Sequence, residues 1–211
     1  MAARCPESFK SAPVIKLDSK TPTESRPKKT ITDLVDNIPT DAEIELAHNM
    51  YESTLLGEDT FLKREVPQNS IWMHDTALTS VQSCVPETQV IHRRLTGGWL
   101  TEQAISLANS AACIITEGNH KMTAIDDILY RSPGEIGTIF FMKASVVYSE
   151  GNKFQVRLEI EKKLPNEMKS DGTVTAIMNF TFESDEPVPM IVPHTYGETM
   201  QFLAGKRQFN L

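Results

Sequence analysis

The feature that most constrains the fold is a stretch from Trp99 to Glu117 that contains neither proline nor glycine. Gly97 and Gly98 open it, and Gly118 and Asn119 close it with residue types that readily end a helix. Leu100, Ala104, Leu107, Ala108, Ala111 and Ile115 fall on one stripe at helical spacing, and Ala112 and Ile114 widen it. A stripe this wide needs cover over much of the helix circumference, and its alanines let a sheet approach closely. The spacing therefore predicts a buried central helix.

The downstream half of the chain can supply that cover. Met122–Leu129 and Thr138–Tyr148 read as strands, separated by the turn-rich Ser132, Pro133 and Gly134. Ser149 to Asn152 predict a hairpin turn. The next segment alternates, with Phe154, Val156, Leu158 and Ile160 on one face and Lys153, Gln155, Arg157, Glu159 and Glu161 on the other. Val174, Ala176, Met178, Phe180 and Phe182 alternate again. One apolar face per strand suits an antiparallel sheet packed on one helix. No second helix is expected between these strands, so the fold class is α+β, not a doubly wound parallel sheet.

Upstream, Thr40 and Glu43 form a capping box, and Ile44, Ala47, Tyr51 and Leu55 recur behind it as a short amphipathic helix ending before Gly57. Ile71–Cys84 is expected to include an opening strand. Residues 1–38 read as a disordered leader. Seven of the first 30 residues are basic against three acidic, with no apolar periodicity. A transit peptide fits weakly because acids are present, and no apolar block suggests a secretory signal. The expected divisions are this leader, a helical extension over 39–69, the main domain over 70–186 and a C-terminal tail over 187–211.

Charge and ligand spacing narrow the function classes. A formal charge of -7 argues against nucleic acid as principal partner, since phosphate-backbone binding draws on clustered Lys and Arg. No apolar run is long enough for a membrane span. Cys5, Cys84 and Cys113 are isolated, which implies a reducing compartment without a disulfide framework. His48, His74, His92, His120 and His194 share no metal-ligand spacing, so no metal is expected.

Particular motifs go further. Gly97-Gly98-Trp99-Leu100, Ala124-Ile125-Asp126-Asp127-Ile128 and Pro133-Gly134-Glu135-Ile136-Gly137, in that order, resemble successive motifs of the hotdog-fold acyl-coenzyme A thioesterase family. Ile71-Trp72-Met73-His74-Asp75 and the run Val192 to Met200, with Arg207-Gln208-Phe209-Asn210 beyond it, resemble the second hotdog of a mitochondrial branch that carries two hotdogs per chain. The resemblance spans roughly Pro39 to Leu211. It implies a long helix wrapped by an antiparallel sheet, an acyl-coenzyme A substrate and no cofactor. It also implies pairing with a second copy or another hotdog subunit, and a mitochondrial location with the cytoplasm as alternative. This chain departs from the family in two places. The loop before the glycine pair, Gln89 to Thr96, lacks the usual Asp or Asn, and Ser106 replaces a helix acid.

Thioester hydrolysis needs an activated water and a donor for the oxyanion. Gly97 and Gly98 at a helix N-terminus can supply the donor through free amides; otherwise they serve only a sharp turn. His92 has a suitable titration range for a base, with a solvated loop histidine as the plain alternative. Asp126 and Asp127 point to opposite faces if the segment is a strand, so one faces the helix or a cleft, where it serves as base or needs a partner such as Arg93 or Arg94 in a structural salt bridge. Asp75 either serves as base or caps a turn. Arg93 and Arg94 suit coenzyme A phosphates or are simply solvated, and Arg131 and Lys143 are weaker candidates. The alternative function is a non-catalytic acyl-coenzyme A binding or regulatory subunit. Asn179-Phe180-Thr181 is formally a glycosylation acceptor but falls in an expected strand.

Overall fold

The computed structural model describes residues 39–54, 65–85, 90–91, 94–95, 97–131, 134–168 and 172–209. Pro39–Leu211 cluster as one compact unit. The helices are α1 (Asp41–Ser53), α2 (Gly97–Thr116) and α3 (Tyr196–Phe209). The strands are β1 (Ser70–Trp72), β2 (Leu78–Ser83), β3 (Val90–Ile91), β4 (Arg94–Leu95), β5 (His120–Tyr130), β6 (Ile139–Glu150), β7 (Lys153–Lys163), β8 (Thr173–Ser184) and β9 (Met190–Val192).

Five strands form the main sheet in the order β2-β6-β7-β8-β5, every neighbouring pair antiparallel. Gly151, at a φ of 63°, and Asn152 turn β6 into β7, matching a two-residue hairpin with glycine first. The helix α2 lies on one face. Its Leu100, Ala104, Ala108, Ala111 and Ala112 are buried against Phe140, Met142, Ala144 and Val146 of β6. Phe154, Val156, Leu158 and Ile160 of β7 and Ala176, Met178, Phe180 and Phe182 of β8 complete that layer. The alanine stripe is what permits this close approach; Leu107 and Ile115 are only partly buried and Ile114 is exposed. This is the expected α+β architecture, with α2 beginning at Gly97, two residues earlier than the sequence spacing suggests.

Two expectations are corrected. The amphipathic face of α1 is not Ile44 and Tyr51, which are 55% and 50% exposed; Leu46 and Met50 pack instead. Leu55 lies outside the described residues. The segment 187–211 is more than a tail. Its β9 pairs in parallel with β1, and α3 rests on β6 and β7 on the face away from α2. Thr195 and Glu198 cap α3 reciprocally: Glu198 N–H donates to Thr195 Oγ1 at 3.2 Å, and Thr195 N–H to Glu198 Oε2 at 3.3 Å. A Cβ on Gly205 would sit 2.9 Å from Val147 Cγ2 and 3.2 Å from Gln155 Oε1, so only glycine lets α3 lie this close to the sheet.

The capping box at Thr40 is present, and Glu43 has a second role. Arg207 of α3 donates Nε–H and an Nη2 proton to its two oxygens, each at 2.6 Å. That guanidinium, aided by the Thr40 contacts, holds the Glu43 carboxyl at about 2, well below 4.5. A depressed carboxyl stabilises the fold above its unfolded value and loses that contribution as pH falls through the folded one. Glu43→Gln should therefore lower stability at pH 7 by about 1 kcal/mol, the pair being partly solvated. Thermal melts of the two proteins should converge between pH 4.5 and 2. A constant gap down to pH 2 would deny the ion pair this role.

Candidate functional site

The first turn of α2 brings together groups distant in sequence. Tyr130, the last residue of β5, donates its hydroxyl proton to Gly97 O at 2.8 Å. Thr101 also donates to Gly97 O, at 2.9 Å, and its hydroxyl contacts that of Tyr130. The phenol therefore pins the start of the helix to the end of the sheet. Gly97 suits this placement: a Cβ there would stand 3.2 Å from Tyr130 Cζ and 3.3 Å from its oxygen, tighter than most real contacts. Gly98 is different, because a Cβ added there meets no described residue within 4 Å. One glycine makes room for a ring; the other is exposed, with no described residue against it to bound the space beside it. Unpaired amides of a helix's first turn carry partial positive charge toward that space. The arrangement can receive a carbonyl oxygen that becomes an oxyanion.

Sequence reasoning misses Tyr130 and Thr101. A signal exists in the position of Tyr130, three residues before Pro133 at a strand end, but nothing in one sequence indicates that this strand end meets the glycine pair.

The structure scatters the other candidates. His92 and Arg93 lie outside the described residues. Arg94 is in the short strand β4, paired with Ile91, ahead of α2. Asp126 is opposite Asn179, whereas Tyr130 is opposite Ala176. Asn179 pairs with Arg157, and Ala176 with Ile160 of the buried row. Cross-strand partners share a face, so Asp126 sits on the sheet face away from α2. Its Oδ2 accepts from Thr181 Oγ1 at 3.1 Å. The structure thus does not bring Asp126 to the glycine pair, and its partner is Thr181, where an arginine was one expectation. Ser106 falls in the third turn when α2 is counted from Gly97 and is exposed. Asp75 lies in a 3-10 turn, Met73–Thr76, with its Oδ1 3.5 Å from His74 Nε2.

Lys143 is opposite Glu159 on the outer sheet face. Arg131 is exposed just beyond Tyr130. Arg157 is pulled below its ordinary value by burial, opposed by Glu159, with Arg131 adding to the downward shift. Asn179 is 3% exposed within β8. Cys84 and Cys113 are free thiols, and no group of three metal-ligating side chains occurs among the described residues. No helix among them is long and apolar enough to cross a membrane.

No family model matches the chain. Human mitochondrial acyl-coenzyme A thioesterase 9 is 34% identical over 180 residues, covering 85% of this chain and 40% of that protein. Mitochondrial acyl-coenzyme A thioesterase 10 of Mus musculus is 34% identical over 81% of this chain and 39% of its own length. Among solved structures, an acyl-CoA hydrolase from Staphylococcus aureus in complex with butyryl coenzyme A, coenzyme A and coenzyme A disulfide superposes with a TM-score of 0.63. It is 17% identical and covers 67% of this chain and 88% of that one. An acyl-CoA hydrolase from Bacillus cereus gives 0.62 at 14% identity, over 66% and 87%. At those identities the structural likeness establishes the fold. In sequence the chain is a relative of the mitochondrial acyl-coenzyme A thioesterases 9 and 10 over about two fifths of their length, and in fold it is a hotdog of the kind found in acyl-CoA hydrolases.

Proposed function

We propose that this chain hydrolyses acyl-coenzyme A thioesters to a fatty acid and free coenzyme A. The observation that carries the reading is the start of α2, where Gly98 is exposed and clear of the other described residues, beside a helix end anchored by Tyr130. Its relatives and its fold point the same way. In the proposed mechanism the thioester carbonyl accepts hydrogen bonds from first-turn amides, and a water attacks its carbon. His92, five residues before Gly97 in sequence, is proposed to remove the water's proton. The resulting oxyanion is held by the amides and the helix dipole. The C–S bond then breaks, the sulfur leaves as a thiolate and takes up a proton, and no cofactor takes part. Arg93 and Arg94 are proposed to hold coenzyme A phosphates. Asp126, engaged by Thr181, is kept as a structural group that ties β5 to β8.

The proposed assembly is a pair of hotdogs. At the sheet's end β5 has β8 as its one neighbour among the described strands and exposes Met122, Ile125, Ile128 and Tyr130 by 39–43%. An edge strand with that much apolar surface is suited to pair with another. Ile128→Lys is expected to leave a folded monomer where the parent chain is a dimer, read by mass in solution. An unchanged dimer would move the pairing surface elsewhere. The mitochondrial names of the relatives support a mitochondrial location here, with the cytoplasm as alternative.

A second reading, an acyl-coenzyme A binding or regulatory module, is favoured by one observation: Ser106 is an exposed hydroxyl where the family resemblance implies an acid. Thiol release from a panel of acyl-coenzyme A chain lengths decides between them. Release well above the blank supports the hydrolase; saturable binding without release supports the module.

A further inference from the structure

A cleft of about 420 Å³ lies between α1, α3 and the turn joining β6 to β7, and the proposed hydrolysis does not use it. Leu46 and Met50 of α1, Tyr148 of β6, Phe202 of α3 and Val188 give it apolar walls. It sits at the opposite end of the sheet from the glycine pair. Tyr130 aligns through Ala176 with Ile160, whereas the cleft borders Gly151, just before Lys153. The stretch of β7 from Lys153 to Ile160 separates those levels by roughly 20 Å.

The charges at its rim are unequally occupied. Arg207 is taken by Glu43. Glu150 accepts the Tyr148 hydroxyl proton at 3.0 Å. Lys206, which lines the cleft, has no ion-pair partner among the described residues. An apolar cleft of this size with one uncommitted cation suits a ligand with a hydrocarbon tail and a single negative head. We propose that this cleft binds a fatty monocarboxylate, with the chain among Leu46, Met50, Val188 and Phe202 and the carboxylate at Lys206. The Glu43–Arg207 pair holds α1 in place as one wall. This site stands or falls independently of the hydrolase reading.

The test is calorimetric titration of the full chain with dodecanoate below its micelle concentration, beside Lys206→Met, Met50→Trp and Gly98→Trp. One dodecanoate per chain is expected. Lys206→Met should weaken it about fivefold, as befits a partly solvated ion pair, and Met50→Trp should fill the cleft and weaken it further. Gly98→Trp should bind like the parent chain. Dodecanol, which has the tail without the charge, should bind the parent and Lys206→Met equally. Thermal melts check that each variant is folded, and Lys206→Met alone suffices if Met50→Trp is not. The proposal is overturned by no saturable binding, by equal dodecanoate affinity in Lys206→Met and the parent, or by loss of binding in Gly98→Trp.

Discussion

Gly97→Val is expected to lower kcat/KM for acyl-coenzyme A hydrolysis by about 100-fold while the protein stays folded. The reason is local. The new Cβ would start 3.2 Å from the Tyr130 ring, tighter than most real contacts, so the ring must give by a few tenths of an ångström, and the valine methyls add further bulk there. The displacement is expected to break the Tyr130 to Gly97 hydrogen bond and so to free the first turn of α2 from the end of β5. The amides proposed to receive the oxyanion then lose their fixed position. Misplacement by about 1 Å is enough for a loss of this size. Tyr130→Phe supplies the matched comparison, since it removes the hydrogen bond without adding bulk. It should reproduce part of the loss in kcat with little change in KM. Steady-state kinetics on both variants checks the point, and full activity in Gly97→Val would separate the helix start from the chemistry.

The second large effect is on stability. Phe180→Ala should destabilise the chain by about 3–5 kcal/mol, measured by urea unfolding. Phe180 is fully buried, on the central layer of β8. Across the ladder it faces Val156 on one side and Ile125 on the other. Against it lies α2, whose buried face is mostly alanine, held close to the sheet. Small side chains on a continuous helix cannot extend to fill the space that a phenyl ring leaves, so the cavity persists. A loss under about 1 kcal/mol would mean that the helix collapses onto the sheet far more readily than this packing implies.

Much of the fold is legible in the sequence because each element carries its own period. The alternation through Phe154–Ile160 and Ala176–Phe182 specifies which face meets α2, and the alanine stripe specifies how close. The capping box at Thr40 and the glycine turn at Gly151 are equally local. What escapes is long-range. The residues of α3 lack a strong apolar stripe, since Gly197 and Gly205 interrupt it and the helix docks through Phe202 and Leu203. Thr195 and Glu198 are a readable start signal for it. The parallel pairing of β1 with β9 joins three-residue strands about 120 positions apart, too short to show a period of their own. In α1 the exposed Ile44 and Tyr51 look like a core face because helical spacing does not say which side of a surface helix finds a partner.

The candidate site divides along the same line. The glycine pair is legible as a helix start, but its two members differ in role only once Tyr130 is seen against Gly97. Alternation expects Asp126 and Asp127 on opposite faces without saying which face holds the helix. The register with Asn179 decides that for Asp126.

The measurement that bears most directly on hydrolysis at this site is the rate of thiol release from an acyl-coenzyme A by the full chain, compared with Gly98→Trp at equal concentration and matched thermal stability. Gly98 is exposed and clear of the other described residues, so the variant should fold normally and an indole there should occupy the space proposed for the thioester. Release by the parent chain, abolished in Gly98→Trp, is the expected result. No release from the folded parent chain, or equal release by both proteins, would contradict hydrolysis at the start of α2.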